Sequence, residues 1–189
     1  MSKILQTRPR KVPQFSLLAK PSGPLCNLDC KYCFYLEKEA YFQESDKNKY
    51  YMNEEIQEIY VEQYLSSQQG SEVTFAFQGG EPTLIGLPYF QRLVKLVEKY
   101  KLPHQKVSYS LQTNGTCLNS EWGEFLKENN VLVGISLDGP AELHDAYRVN
   151  KAGLPTHDKV MKALALLQNY SIEYNTLSVI HLLNSQQPL

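Results

Sequence analysis

Cys26-Asn27-Leu28-Asp29-Cys30-Lys31-Tyr32-Cys33-Phe34-Tyr35 is the stretch on which the reading of the whole chain turns. Its three cysteines are spaced by four and by three, and the remaining cysteine, Cys117, lies far along the sequence. A structural zinc site takes four protein ligands, usually as two CxxC-like pairs, and the second pair is missing. An iron–sulfur cube has four irons, so three thiolates from Cys26, Cys30 and Cys33 leave one iron open to a small molecule. An open metal position is what a catalytic centre needs and a structural one avoids. Three plainer readings stand beside this one: a zinc loop with a remote fourth ligand, three unrelated buried thiols, and a disulfide pair. The disulfide suits a secreted chain, and the basic, polar stretch Met1 to Lys11 has no apolar signal segment.

Working outward, the flanking sequence alternates strand and helix patterns. Phe15 to Ala19 reads as a short strand leading into the cysteine loop, and a charged, tyrosine-rich connection follows to about Tyr51. Asn53 is a candidate helix cap with Glu54 and Glu55 in the first turn. Ile56, Ile59, Tyr60 and Tyr64 recur at helical spacing, and Gly70 is placed as the stop. Val73–Phe77 is the second strand, running into Gln78-Gly79-Gly80-Glu81-Pro82. A second helix starts near Pro88 and presents Phe90, Leu93, Val94 and Val97. Val107–Leu111 is a third strand, and a third helix capped by Ser120 buries Trp122, Phe125 and Leu126. Val131–Ile135 is the fourth strand, ending in Ser136-Leu137-Asp138. A fourth helix from about Thr156 presents Val160, Ala163, Leu164 and Leu167, and Tyr174–Ile180 is the fifth strand.

Such alternation predicts an α/β fold with parallel strands and right-handed crossovers. Several strands are almost continuously apolar, which predicts cover on both faces. The open alternatives are a flat sheet and a barrel. A Rossmann turn is a weak reading of Gly79-Gly80, because the GxGxxG spacing is missing and Pro82 interrupts the loop. The polar residues gather where strands end: Cys26, Gln78 to Glu81, Gln112 to Asn114, Ser136 and Asp138. In a βα barrel all of these ring one mouth.

Composition bounds the function. The chain has 189 residues, 42% hydrophobic, with a formal net charge of −1. That suffices for one domain with a core. It gives no basic patch for nucleic acid or anionic lipid and no apolar run that spans a bilayer, so a cytoplasmic setting is expected. His104, His144, His157 and His181 show no mutual ligand spacing, and Cys117 reads as a free thiol.

The cysteine loop resembles that of the radical S-adenosylmethionine (SAM) enzymes. The words around it, Ala19-Lys20-Pro21-Ser22-Gly23-Pro24 and Phe34-Tyr35-Leu36-Glu37-Lys38, are similar to the anaerobic sulfatase-maturating enzymes within that superfamily. The resemblance implies a partial barrel of six βα units and a 4Fe-4S cluster on Cys26, Cys30 and Cys33, its fourth iron chelated by SAM. Gly79-Gly80-Glu81-Pro82 matches the family's GGEP motif. Two glycines let backbone carbonyls approach the SAM ammonium, with Glu81 as a negative partner. Ser136 and Arg148 match positions that bind the SAM carboxylate. Tyr35 corresponds to an adenine-side contact. Val179, near the end of the fifth strand, is placed to line the adenine pocket, and Gln78, which precedes the motif and faces the mouth, is a candidate substrate contact. Asn114 and Asp138 order the rim.

The resemblance further implies one-electron cleavage of SAM to methionine and a 5′-deoxyadenosyl radical, which oxidises a serine or cysteine of a sulfatase to formylglycine. A flavodoxin or ferredoxin is the implied electron donor, and the implied general base lies beyond Leu189. Five strands and four intervening helices fall short of six βα units. The reading therefore expects residues 1–14 as a flexible lead-in and 15–189 as an incomplete radical SAM core, the amino-terminal part of a longer enzyme, without its cysteine-rich carboxyl-terminal domain. Two other functions stay open: a different peptide-modifying radical SAM enzyme, and a non-catalytic metal-binding fragment.

Overall fold

The computed structural model describes residues 14–35 and 50–186. The residues 1–13, most of the charged connection and the words after Tyr35 lie outside the described residues. Gln14, placed by the sequence in the lead-in, donates from Nε2 to the Glu72 carbonyl at 2.7 Å.

Among the described residues, five strands form a single sheet: β1 (Leu17–Ala19), β2 (Glu72–Phe77), β3 (Lys106–Thr113), β4 (Leu132–Ser136) and β5 (Tyr174–Leu177). Each pairs in parallel with the next, in the spatial order β1-β2-β3-β4-β5. A doubly wound sheet reverses its order at a switch point. Here there is no reversal, so the sheet is an arc of a βα barrel rather than an open Rossmann sheet.

The expected cover on both faces is corrected by the structure. Val73, Phe75, Phe77, Leu111, Val133 and Ile135 are buried against helices. The opposite face carries Leu18, Thr74, Ala76, Ser110, Gln112 and Gly134, and it is exposed or half-buried. Side chains alternate along a strand, so an apolar run buries only every second residue when one face is open. That open face is the concave interior of the arc.

Five α-helices occur among the described residues. In α1 (Glu54–Ser67), Asn53 Oδ1 accepts the Ile56 amide at 2.8 Å, as the sequence predicts. The expected stripe is corrected. Ile56 and Ile59 are 50% and 40% exposed, while Gln57, Val61, Tyr64 and Leu65 face the core. Gln57 causes the rotation, because its amide donates to Tyr89 O at 2.8 Å and accepts from Arg92 Nη1 at 2.8 Å. A polar residue thus holds the centre of a helix interface, where hydrophobic periodicity cannot find it. The helix stops at Ser67 and not at Gly70; the Gln68 amide donates to Leu65 O at 3.3 Å.

In α2 (Leu87–Tyr100), Tyr89, Phe90, Leu93, Leu96 and Val97 are buried. The cap of α3 (Ser120–Glu128) is Asn119 rather than Ser120, its Oδ1 accepting the Trp122 amide at 3.1 Å. Phe90 meets Phe77 and Trp122 edge-on, each with centroids 5.3 Å apart. The short helix α4 (Ala141–Tyr147) is absent from the sequence reading; it has no apolar repeat, and its buried residue is His144. In α5 (His157–Asn169) the four expected residues Val160, Ala163, Leu164 and Leu167 are buried. No helix among the described residues is long and apolar enough to cross a membrane.

Candidate functional site

The carboxyl ends of the strands open onto one cavity of about 380 Å³. Among its lining residues are Cys26, Cys30, Cys33, Gln78, Gly79, Gly80, Ser136 and Arg148, with Tyr35 and Val179 at its border. Every site residue expected from the sequence is therefore brought to this cavity except Glu81. A larger groove of about 680 Å³ lies between α2 and α3, but it holds none of these residues.

Backbone hydrogen bonds join the loops around the cavity. Gln78 N–H donates to Ala19 O, Gly80 N–H to Gly23 O and Glu81 N–H to Leu25 O, at 3.0, 3.0 and 2.7 Å. The turn after β2 is thereby laced to the segment that enters the cysteine loop. On the other side, Asp29 N–H donates to Val149 O and Lys31 N–H to Tyr147 O, at 2.8 and 3.0 Å. The glycines are required by this lacing. A Cβ on Gly80 would stand 2.1 Å from Leu25 O, and Gly79 has φ +135°.

Glu81 is corrected. It is 0% exposed and is not among the residues lining the cavity. Its Oε1 accepts from Thr83 N, Thr83 Oγ1 and Thr113 Oγ1 at 3.0, 2.6 and 2.7 Å, and its Oε2 accepts from Asn114 N at 2.7 Å. Burial pushes its carboxyl pKa up while these donors pull against the rise. The carboxylate ties the ends of β2 and β3 together. Its oxygens are engaged by neutral donors, three on Oε1 and one on Oε2.

Burial also shapes the thiols. It raises the Cys26 pKa to about 12, and it raises that of Cys30 to about 11 against the opposing pull of Arg148. Such thiols stay protonated unless a metal centre displaces the proton. Leu28 N–H and Asn114 Nδ2 donate towards Cys26 Sγ at 3.4 and 3.8 Å, the kind of contact that stabilises a sulfur ligand. No three His, Cys, Asp or Glu side chains among the described residues converge on one metal-ion position. Tetrahedral zinc, with bonds of about 2.3 Å to sulfur, needs such convergence. A cube takes each thiolate on a different iron, and three thiols lining one cavity fit that donor set.

The opposite wall was only partly legible. Arg148 donates from Nε to Asp138 Oδ2 at 2.9 Å and from Nη2 to Asp138 Oδ1 at 3.1 Å. Tyr32 O–H donates to Asp138 Oδ2, and the guanidinium carbon sits 5.4 Å from the centre of its ring. Burial pushes the Asp138 pKa up, but Arg148, Tyr32 and the Val179 amide outweigh it and hold it below the usual carboxylate range. Tyr32, between two cysteines and lining the cavity, is missing from the sequence reading, although its place in the loop was the available signal. Gln112 Nε2 donates to Ser136 Oγ at 3.2 Å. Lys20 Nζ donates to the Tyr35 hydroxyl and lies 4.7 Å from its ring centre. Cys117 carries a free thiol and accepts from Asn27 Nδ2 at 3.4 Å.

His144 is the second residue the sequence reading passed over. Thr156 donates its hydroxyl hydrogen to Arg148 O at 2.6 Å, so the 3.1 Å contact to His144 Nε2 makes that nitrogen the donor. Nδ1 then accepts from Asp138 N at 3.3 Å. Both nitrogens have fixed roles in the neutral ring. Burial, with Arg148 nearby, lowers its pKa to about 4.

The family model described as the Radical SAM superfamily matches residues 21–187. The chain is 40% identical over 173 residues to the serine-type anaerobic sulfatase-maturating enzyme of Bacteroides thetaiotaomicron, covering 92% of this chain and 41% of that one. It is 43% identical over 169 residues to the cysteine-type enzyme of Clostridium perfringens, covering 89% and 45%. The chain thus spans less than half the length of these relatives. Among solved structures, one described as anSMEcpe with bound AdoMet superposes with a TM-score of 0.84 at 40% identity, covering 93% of this chain and 46% of that one. Another, described as anSMEcpe with bound AdoMet and the Kp18Cys peptide, has the same TM-score, identity and coverage.

Proposed function

Because the chain belongs to the Radical SAM superfamily, we propose that it binds a 4Fe-4S cluster and SAM and serves the oxidation of a serine or cysteine of a sulfatase to formylglycine. One observation carries the reading: three thiols, two glycines with bare backbone, Ser136 and Arg148 share one cavity. Cys26, Cys30 and Cys33 would hold the cluster. Gly79 and Gly80 would bring backbone acceptors to the SAM ammonium, and Arg148 and Ser136 would meet its carboxylate. Tyr35 and Val179 would border the adenine. When bound, the pair supplies one-electron cleavage of SAM and so the oxidising power for hydrogen-atom abstraction.

This chain's residues orient and shield. The lacing of Gly80 to Gly23 and of Glu81 to Leu25 fixes the ammonium side against the cysteine loop. The open inner face of the arc, with Gln78 at its rim, is where a sulfatase peptide would enter. The serine-type and cysteine-type relatives match almost equally well, so both target residues belong to the proposal. A flavodoxin or ferredoxin as donor and a cytoplasmic setting complete it.

The test is anaerobic reconstitution with iron and sulfide, followed by electron paramagnetic resonance of the reduced protein with and without SAM. A cubane signal that changes on adding SAM is the expected result. A spectrum indifferent to SAM, or bound zinc in place of iron and sulfide, would overturn the reading. Mass spectrometry of sulfatase peptides carrying serine or cysteine then reads the oxidation, and its absence from both peptides would refute the substrate assignment.

A further inference from the structure

Arg148, Tyr32 and Val179 come from different parts of the chain, and all three border the cavity. Arg148 follows α4, Tyr32 belongs to the cysteine loop, and Val179 follows β5. One carboxylate gathers them. We propose that Asp138 is a positioning residue: from behind the cavity wall it presets the Arg148 guanidinium and the Tyr32 ring for the carboxylate end of SAM. The inference rests on the SAM reading above and extends it to a residue that need not touch SAM.

Asp138 is 2% exposed and is not among the residues lining the cavity. Its acceptor sites are fully used. Oδ2 takes Arg148 Nε and the Tyr32 hydroxyl; Oδ1 takes Arg148 Nη2 and the Val179 amide at 2.9 Å. The bidentate pair fixes both the plane and the position of the fork, which a single contact does not. It occupies the Nε and Nη2 side and leaves Nη1 turned away from Asp138. Arg148 gains a further fixed face from the Tyr32 ring. An arginine released from this pair regains its rotamer freedom and must lose it again each time a ligand binds.

Asp138 is itself held. Its amide donates to His144 Nδ1, and His144 is tied through Thr156 to the Arg148 carbonyl. The loop between the acid and its arginine is thereby closed at both ends. This second layer resembles the outer carboxylates that orient metal ligands, whose loss commonly costs ten- to hundredfold in affinity.

The test compares the reconstituted protein with its Asp138→Asn variant, titrating SAM and, in parallel, decarboxylated SAM, by equilibrium dialysis. Iron content and thermal midpoint are recorded for each. The expected result is retained iron with a SAM Kd raised about 10- to 100-fold, the cost of a broken charge-assisted pair. Decarboxylated SAM, which lacks the group that Arg148 would meet, should bind the two proteins equally. Should Asp138→Asn fail to fold, Tyr32→Phe removes one donor from the same carboxylate and should raise the SAM Kd about 3- to 10-fold with the same selectivity. Equal losses for both ligands, or none for either, would overturn the proposal. If the unaltered protein fails to bind SAM, the functional reading falls and this inference falls with it.

Discussion

Glu81→Gln separates two roles for the glutamate of the GGEP turn. As a ligand partner, Glu81 would leave the empty protein's stability untouched when altered and would weaken SAM binding alone. The structure makes it a clamp. Glutamine keeps the shape but replaces one acceptor oxygen with a donor. The better orientation keeps the oxygen on the side of the three Oε1 contacts and sets the amide group against Asn114 N–H, where the present contact is 2.7 Å. Hydroxyl hydrogens can rotate away, but a backbone N–H cannot. The orphaned amide costs about 1–3 kcal/mol, and three bonds weakened from charged to neutral acceptors add about 0.5 kcal/mol each. Relief from burying a charge offsets part of this, so a net loss of about 3 kcal/mol is expected. For a chain of this size that lowers the melting point by roughly 10 °C. Urea denaturation followed by circular dichroism, without SAM, measures it. A loss below about 1 kcal/mol with intact secondary structure would refute the clamp.

Gly80→Ala should disrupt the site, because the added Cβ meets the backbone atoms Leu25 O, Leu25 C and Pro24 O at 2.1, 2.5 and 2.5 Å; dialysis should show SAM binding lost. Gly153→Ala, with nothing within 4 Å but φ +74°, should cost only about 1 kcal/mol and keep binding; equal effects of the two would contradict the lacing. His144 has its pKa lowered from 6.5 to about 4, so its contribution is present above pH 6.5 and is lost as the pH falls towards 4. The unfolded chain takes up the proton first, and the full difference is about 3 kcal/mol. Urea midpoints between pH 7 and 4.5 should fall more steeply for the unaltered protein than for His144→Gln, and parallel slopes would remove His144 as the cause. Asn53→Ala should lower stability by about 1 kcal/mol through loss of the α1 cap, read from the same urea curves; no change would mean that water replaces the cap without cost.

The sequence predicted well for most local signals, the Gly70 stop and the Ser120 cap being the exceptions. The cysteine spacing, the Asn53 cap, the α5 stripe and the glycine pair are each contained within a few residues, and the structure keeps all four. Errors arose where a residue's neighbours lie far away in the chain. Gln57 has no place in the expected stripe because its partners, Tyr89 and Arg92, belong to another helix. Helix α4 went unread because a seven-residue helix buried through one histidine offers no apolar repeat. The continuous apolar strands suggested two covered faces, yet among the described residues the helix side is covered and the other is the hollow of the arc.

Composition, periodicity and spacing alone determined the βα alternation, the parallel strands, the triple-thiol loop and the gathering of polar residues at the strand ends. These follow from side-chain period and turn chemistry, which act over a few residues. The tertiary structure alone decided which carboxylate serves which purpose. Glu81 turned from an expected ligand into a clamp, and Asp138 from a rim residue into the hub of a wall. A carboxylate takes its role from the donors that reach it. Those donors come from residues 2 to 106 positions away, a separation that only the folded chain closes.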